Sequence, residues 1–258
     1  MKKLLASASF IVLSSATVFA ADLPMNYKAR GPVMAPVFSW TGCYVGVHGG
    51  GGTMHTQGGQ SSSDDLVGTG GIAGGQIGCN YQDGNWVFGA EGEGYWSGIK
   101  GTSARSNLST NSEGFRDVDT DKNKDDFSIA ARAGIAFDRT LVYGKAGWVW
   151  GEFDFLSTNT NFNGPGITPN IFTNSANGTL DGLLLGAGIE HAITNNWTVK
   201  LEYNFLKFGS KELALRECTN FTTPACNPGT FTNTYRADKQ LFKIGVNYLF
   251  NVGGAHVY

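Results

Sequence analysis

The chain has 258 residues, 37 of them glycine, with 12% aromatic and only 16% charged residues. Glycine is at about twice its usual share, and the chain is too aromatic to be disordered and too low in charge for a typical soluble helical domain. A formal net charge of −2 offers no electrostatic footprint for nucleic acid, and the length suits one domain, or one domain plus a tail.

Lys2 and Lys3 precede an uncharged, small and apolar stretch from Leu4 to Val18. Val18-Phe19-Ala20 then places small residues at the −3 and −1 positions of a signal peptidase site. This predicts an export signal over 1–20, cut between Ala20 and Ala21. An exported chain meets an oxidising compartment, so its four cysteines can pair. Residues 21–38, with Pro24, Pro32 and Pro36, read as a periplasmic lead-in to a barrel over 39–250. Residues 251–258 form a C-terminal extension.

Beyond the signal, no stretch reaches the roughly 18 consecutive apolar residues of a membrane-spanning helix. The recurring period is two. Trp86, Phe88, Ala90 and Trp96 share one face, and Val87, Gly89, Glu91, Glu93 and Tyr95 the other. Phe127, Ile129, Ala131, Ala133, Ile135 and Phe137 repeat the pattern, as do Phe242, Ile244, Val246, Tyr248 and Phe250. Eight such segments lie near 40–50, 71–81, 86–97, 127–137, 141–151, 180–192, 197–208 and 239–250. Each is close to the 9–11 residues that a tilted strand needs to cross a bilayer.

The connections alternate in length. Gln82-Asp83-Gly84-Asn85, Asp138-Arg139-Thr140 and Thr194-Asn195-Asn196 are tight, while those near 51–70, 98–126, 152–179 and 209–238 are long and polar. Short turns at one end and long loops at the other are the pattern of an outer-membrane barrel. Charged residues share strand faces with small ones, and bulky residues take the opposite faces, which suits lipid outside and a narrow polar interior. Trp40, Tyr81, Trp86, Phe137, Trp197 and Phe250 are expected in one aromatic girdle, and Trp96, Phe127, Trp150 and Phe208 in the other. The fold predicted is all-β: an eight-stranded antiparallel up-and-down transmembrane β-barrel with four long extracellular loops.

Alternation puts Glu91, Glu93, Glu190 and Glu202 on the inward face together with Arg132, Lys145, Lys200 and Lys243. Four acids cancel four bases, and an eight-stranded interior is just filled by side chains. A salt-bridged plug is therefore preferred to an ion path. Cys218 and Cys226, with Pro224 between them, are expected to clip the fourth long loop. Cys43 and Cys79 point outward from neighbouring strands at similar depth, within disulfide reach. Two unpaired lipid-facing thiols are the alternative, because the long first loop leaves the register open.

No site of chemistry emerges. The run Asp117-Val-Asp119-Thr-Asp121-Lys-Asn123-Lys-Asp125-Asp126 lacks the glycine and terminal glutamate of a calcium loop, and reads as a solvated mixed-charge loop. His48, His55, His191 and His256 have no ligand spacing. Gly68-Thr-Gly70-Gly-Ile-Ala73 lacks the strand and helix that a dinucleotide fingerprint requires. No nucleophile and base can be assembled, so neither enzyme activity nor a cofactor or metal is expected.

Three stretches and the last strand carry a resemblance: Phe38-Ser-Trp40-Thr-Gly42-Cys43-Tyr-Val45-Gly46, Gly74-Gly-Gln76-Ile-Gly78-Cys79-Asn-Tyr81-Gln82, Asn196-Trp197-Thr-Val-Lys200-Leu-Glu202-Tyr203 and Lys243-Ile-Gly245-Val-Asn247-Tyr-Leu-Phe250. The chain resembles the small porin-like outer-membrane β-barrel surface antigens of Gram-negative bacteria, whose architecture is that of the OmpA transmembrane domain. Such barrels commonly end on the aromatic of the last strand, whereas here Asn251 to Tyr258 follow Phe250. The resemblance implies the bacterial outer membrane, contact with its lipid and lipopolysaccharide, and a structural and surface-interaction role. A host or environmental ligand would bind through the loops. It leaves open a narrow channel for small solutes, and capture of haem or another ligand by the loops.

Overall fold

The computed structural model describes residues 38–58, 66–108, 113–164, 168–219 and 225–250. The export signal, the Ala20–Ala21 cleavage site, residues 21–37 of the lead-in, the 251–258 extension and His256 lie outside them. The described residues form ten strands and no helix: β1 Gly42–Gly58, β2 Leu66–Asp83, β3 Trp86–Ser97, β4 Lys100–Leu108, β5 Glu113–Phe137, β6 Thr140–Asn163, β7 Asn170–Ala192, β8 Trp197–Phe208, β9 Lys211–Thr219 and β10 Ala225–Phe250. β3 and β4 form one stave, interrupted at Gly98–Ile99. β8 and β9 form another, interrupted at Gly209–Ser210. Eight antiparallel staves result, and β1 pairs with both β2 and β10, so the sheet closes on itself.

The register fixes the shape. From Val45, successive cross-strand partners are Ile77, Gly92, Ile129, Trp148, Leu183, Lys207, Asp238 and then His55. The circuit returns to β1 ten residues further along, the stagger that tilts strands and closes a small barrel. The tight turns follow from local chemistry: Gly84 and Asp138 adopt φ of +58° and +53°, and the Asp83-Gly84 step joins β2 directly to β3.

Two expectations are corrected. The connections near 51–70, 98–126, 152–179 and 209–238 are largely strand, since β1, β2, β5, β6, β7 and β10 run far past the membrane-crossing segments and β4 and β9 lie wholly within them. The Asp117–Asp126 run belongs to β5, paired with β4 on one side and β6 on the other. Trp40 and Phe208 do not join the girdles. Both are 1% exposed and face inward: Trp40 tucks under the short-turn end against Phe38, and Phe208 shares the even-numbered inward face of β8 with Lys200 and Glu202.

The outer surface is a belt of large apolar side chains, including Val47, Ile77, Ile129, Leu183, Leu201, Phe242 and Ile244, each more than half exposed. A continuous belt of this kind is stable only against lipid. Tyr81, Trp86, Phe137, Trp197 and Phe250 border it at the short-turn end, and Trp96, Phe127 and Trp150 at the other. Phe127 and Trp150 stack at 5.9 Å.

Candidate functional site

The inward faces meet in a buried charge network at the middle of the barrel. The four glutamates and four bases named from the alternation are all buried there. Arg132, on β5, sends one nitrogen to Glu190 Oε2 at 2.7 Å and the other to Glu91 Oε2 at 3.5 Å. Lys145, on β6, contacts Glu91, Glu93 and Glu202 at 3.0, 3.0 and 2.7 Å. Lys200, on β8, reaches Glu91 at 3.0 Å and Glu93 at 3.4 Å. Lys243, on β10, lies 2.8 Å from both Glu93 and Glu202.

Neutral groups meet the remaining lone pairs. Tyr44 and Tyr143 donate to Glu91 and Glu202, each at 2.7 Å. Thr198 and Asn247 donate to Glu190. Each carboxylate thus meets two or more donors, the condition under which buried charge is tolerated. Glycine makes the room: a methyl group on Gly188 would meet the Tyr143 ring and hydroxyl at 2.7 Å.

A second inward group escaped the sequence reading. Lys239 pairs with Asp126 and donates to Asn123 at 2.8 Å, and its ammonium lies 5.4 Å from the Tyr95 ring. Alternation extended back from Lys243 and from Arg132 points both Lys239 and Asp126 inward. A third group links His48, Gln76 and Asn247, with Gln76 Nε2 donating to Asn247 Oδ1 at 2.6 Å.

The network is closed at both ends. Towards the short turns, Phe38, Trp40, Tyr44, Val87, Leu141, Ala192 and Leu249 form an apolar cap. Towards the long hairpins, Met54, Phe153, Phe155, Leu180, Leu206, Phe208 and Leu241 fill the interior. Glu91, Glu93 and Glu202 bring carboxylate oxygens within 4.8 Å of one another, but Lys145, Lys200 and Lys243 already hold them. A metal ion would have to displace ammonium groups. His48, His55 and His191 do not converge: His48 is bonded to Gln76 inside the barrel, and His191 to Thr140 on its surface.

Both cysteine pairs are disulfides. Cys43–Cys79 joins directly opposed residues of β1 and β2 on the lipid-facing surface near the short turns. Cys218–Cys226 joins opposed residues of β9 and β10, so it ties two strands of an extended hairpin rather than clipping a loop.

An aromatic-banded closed barrel with a filled, charge-neutral interior defines a class: a membrane-embedded barrel without an open lumen. The chain belongs to the outer membrane protein beta-barrel domain family, whose model matches residues 8–250, and its place is the outer membrane. It is 32% identical over 221 residues to a 31 kDa outer-membrane immunogenic protein of Brucella melitensis biotype 1, covering 80% of this chain and 87% of the relative. A 22 kDa outer membrane protein of Rhizobium leguminosarum bv. viciae is 27% identical, with 83% and 80% coverage. Among solved structures, the outer membrane protease OmpT from Escherichia coli aligns over 84% of this chain and 99% of its own, at 10% identity and a TM-score of 0.48.

Proposed function

We propose that this barrel is a non-enzymatic, non-conducting element of the outer membrane that supports the integrity of the bilayer and presents its long hairpins for surface contact. The observation that carries this reading is the filled interior. The charged side chains there are paired with one another, and apolar layers lie above and below them, so a hydrated ion has no continuous polar path. The narrow-channel reading would need that path. Haem capture would need converging ligands, which the described histidines do not supply. The hairpins extend the barrel beyond the aromatic band and carry polar pairs such as Asp154 opposite Lys122 and Asn177, a wettable surface suited to contact rather than transport. The immunogenic relatives fit a chain exposed at the cell surface. Export through cleavage after Ala20 belongs to the same reading.

Deletion of the gene tests it. The expected phenotype is increased sensitivity to detergent and to large antibiotics, restored by the wild-type chain. Loss of small-solute uptake with an intact permeability barrier would favour the channel.

A further inference from the structure

The interruption between β8 and β9 opens a groove of about 600 Å³ on the outer face of the barrel. Its membrane side is apolar, formed by Trp148 and Leu183 within the lipid-facing belt. Its other side carries Lys207, Lys211 and Arg236, with Ser210 between them. Trp150, two residues beyond Trp148 on the same face of β6, belongs to the upper aromatic band. The groove therefore runs from the hydrocarbon side of that band to the headgroup side.

The charges in this groove differ from those inside the barrel. Each interior cation has a carboxylate partner, whereas among the described residues Lys207, Lys211 and Arg236 have none within ion-pair distance. Among the described residues, the Arg236 guanidinium donates to the Ser210 hydroxyl, at 3.1 and 3.2 Å, and the Lys211 ammonium to the Thr179 carbonyl, at 2.7 Å. Asp181 also lines the groove. Asp238 stands opposite Lys207 in the ladder without closing an ion pair, and its Oδ1 has no partner. The groove stays net positive with both carboxylates counted.

We propose that this groove binds the headgroup of a phosphorylated glycolipid in the outer leaflet. Its phosphate sits among Lys207, Lys211 and Arg236, its sugar hydroxyls face Asp181 and Ser210, and an acyl chain lies on Trp148 and Leu183. Cations in a fixed array suit phosphate oxygens. A carboxylate among them would repel a bare phosphate but accepts hydrogen bonds from sugar hydroxyls, which favours a glycolipid over a simple phospholipid. This rests on the membrane-spanning reading, and binding is scored on the folded barrel whether or not it conducts.

The test uses the mature chain folded in uncharged detergent and titrated with bis-phosphorylated lipid A, with bound lipid counted by native mass spectrometry. K207A/R236A alters exposed side chains, and K207Q/R236Q serves as a second version that keeps their bulk. Lys124→Ala is the control for loss of charge, because that lysine is already paired with Asp154 at 2.8 Å. The expected result is one retained lipid in the wild type and in Lys124→Ala, and at least roughly tenfold weaker binding in either double variant. Dephosphorylated lipid A, phosphatidylglycerol and inorganic phosphate should each bind at least roughly tenfold more weakly than lipid A to the wild type. Unchanged binding in the double variants, an equal loss in Lys124→Ala, or equal affinity for any of the three comparison ligands would overturn the proposal.

Discussion

Arg132 is the side chain on which the interior leans most. It holds Glu190 and Glu91, is buried, and lies 4.1 Å from the centre of the Tyr143 ring. Arg132→Ala leaves Glu190 without a cation in a buried site, while Glu91 keeps Lys145 and Lys200, and should cost on the order of 3–5 kcal/mol in urea unfolding from lipid vesicles. Combining Arg132→Met with Glu190→Gln should recover most of that loss, because breaking a buried pair costs more than replacing it. An unchanged midpoint in Arg132→Ala would contradict the pairing. Eight of the interior charges were legible from parity alone. Lys239 and Asp126 share that parity but escaped the sequence reading, because they sit at the ends of their crossing segments, where the bulky lipid-facing residues that make alternation visible give way to polar ones.

Asp121 shows how far inside-outside sorting persists above the membrane. Burial pushes its carboxyl up to about 6, against a hydrogen bond from Thr56 that lowers it, and Asp119 adds a smaller upward push. A carboxyl raised in the folded state stabilises the extension fully below its unfolded value and loses that contribution as pH rises through about 6. A carboxylate NMR titration should therefore find the Asp121 midpoint near 6. The side-chain contact across the interior between the upper parts of β1 and β5 should weaken from pH 5 to 7 in the wild type and not in Asp121→Asn. A midpoint near 4 would contradict the burial.

At the scale of strands, the eight crossing segments were readable because a lipid face on one side and a narrow interior on the other impose strict alternation. The extensions were not. With water outside, the demand for bulky outward residues disappears, and runs such as Ser157-Thr158-Asn159-Thr160 look like loop while pairing residue by residue with Asn174, Thr173, Phe172 and Ile171. Trp40 and Phe208 misled for a related reason, since an aromatic at a strand end suits a girdle or a plug equally well until its parity is traced. The two disulfides separate the environments. Cys43–Cys79 faces lipid and spans 36 residues, so its removal should cost roughly 4 kcal/mol in the chain-entropy model. Cys218–Cys226 spans 8 residues and stands in the extension. A water-soluble phosphine should reduce it in intact vesicles while Cys43–Cys79 resists until the barrel is unfolded, as read by alkylation and mass spectrometry. Equal rates of reduction would place both bridges in the same medium.

The whole molecule combines a lipid-facing belt, a stagger of ten residues that closes eight staves, and an interior in which charge is cancelled and then capped by apolar layers. Side chains sized for that interior leave it packed, and its neutrality removes the selectivity that a charged pore would need. Single-channel recording of the purified protein reconstituted in planar bilayers tests this most directly. The expected record is a flat baseline without steady openings, up to voltages at which the bilayer itself fails. Stable, reproducible openings of porin size would show a continuous aqueous path and contradict the filled barrel.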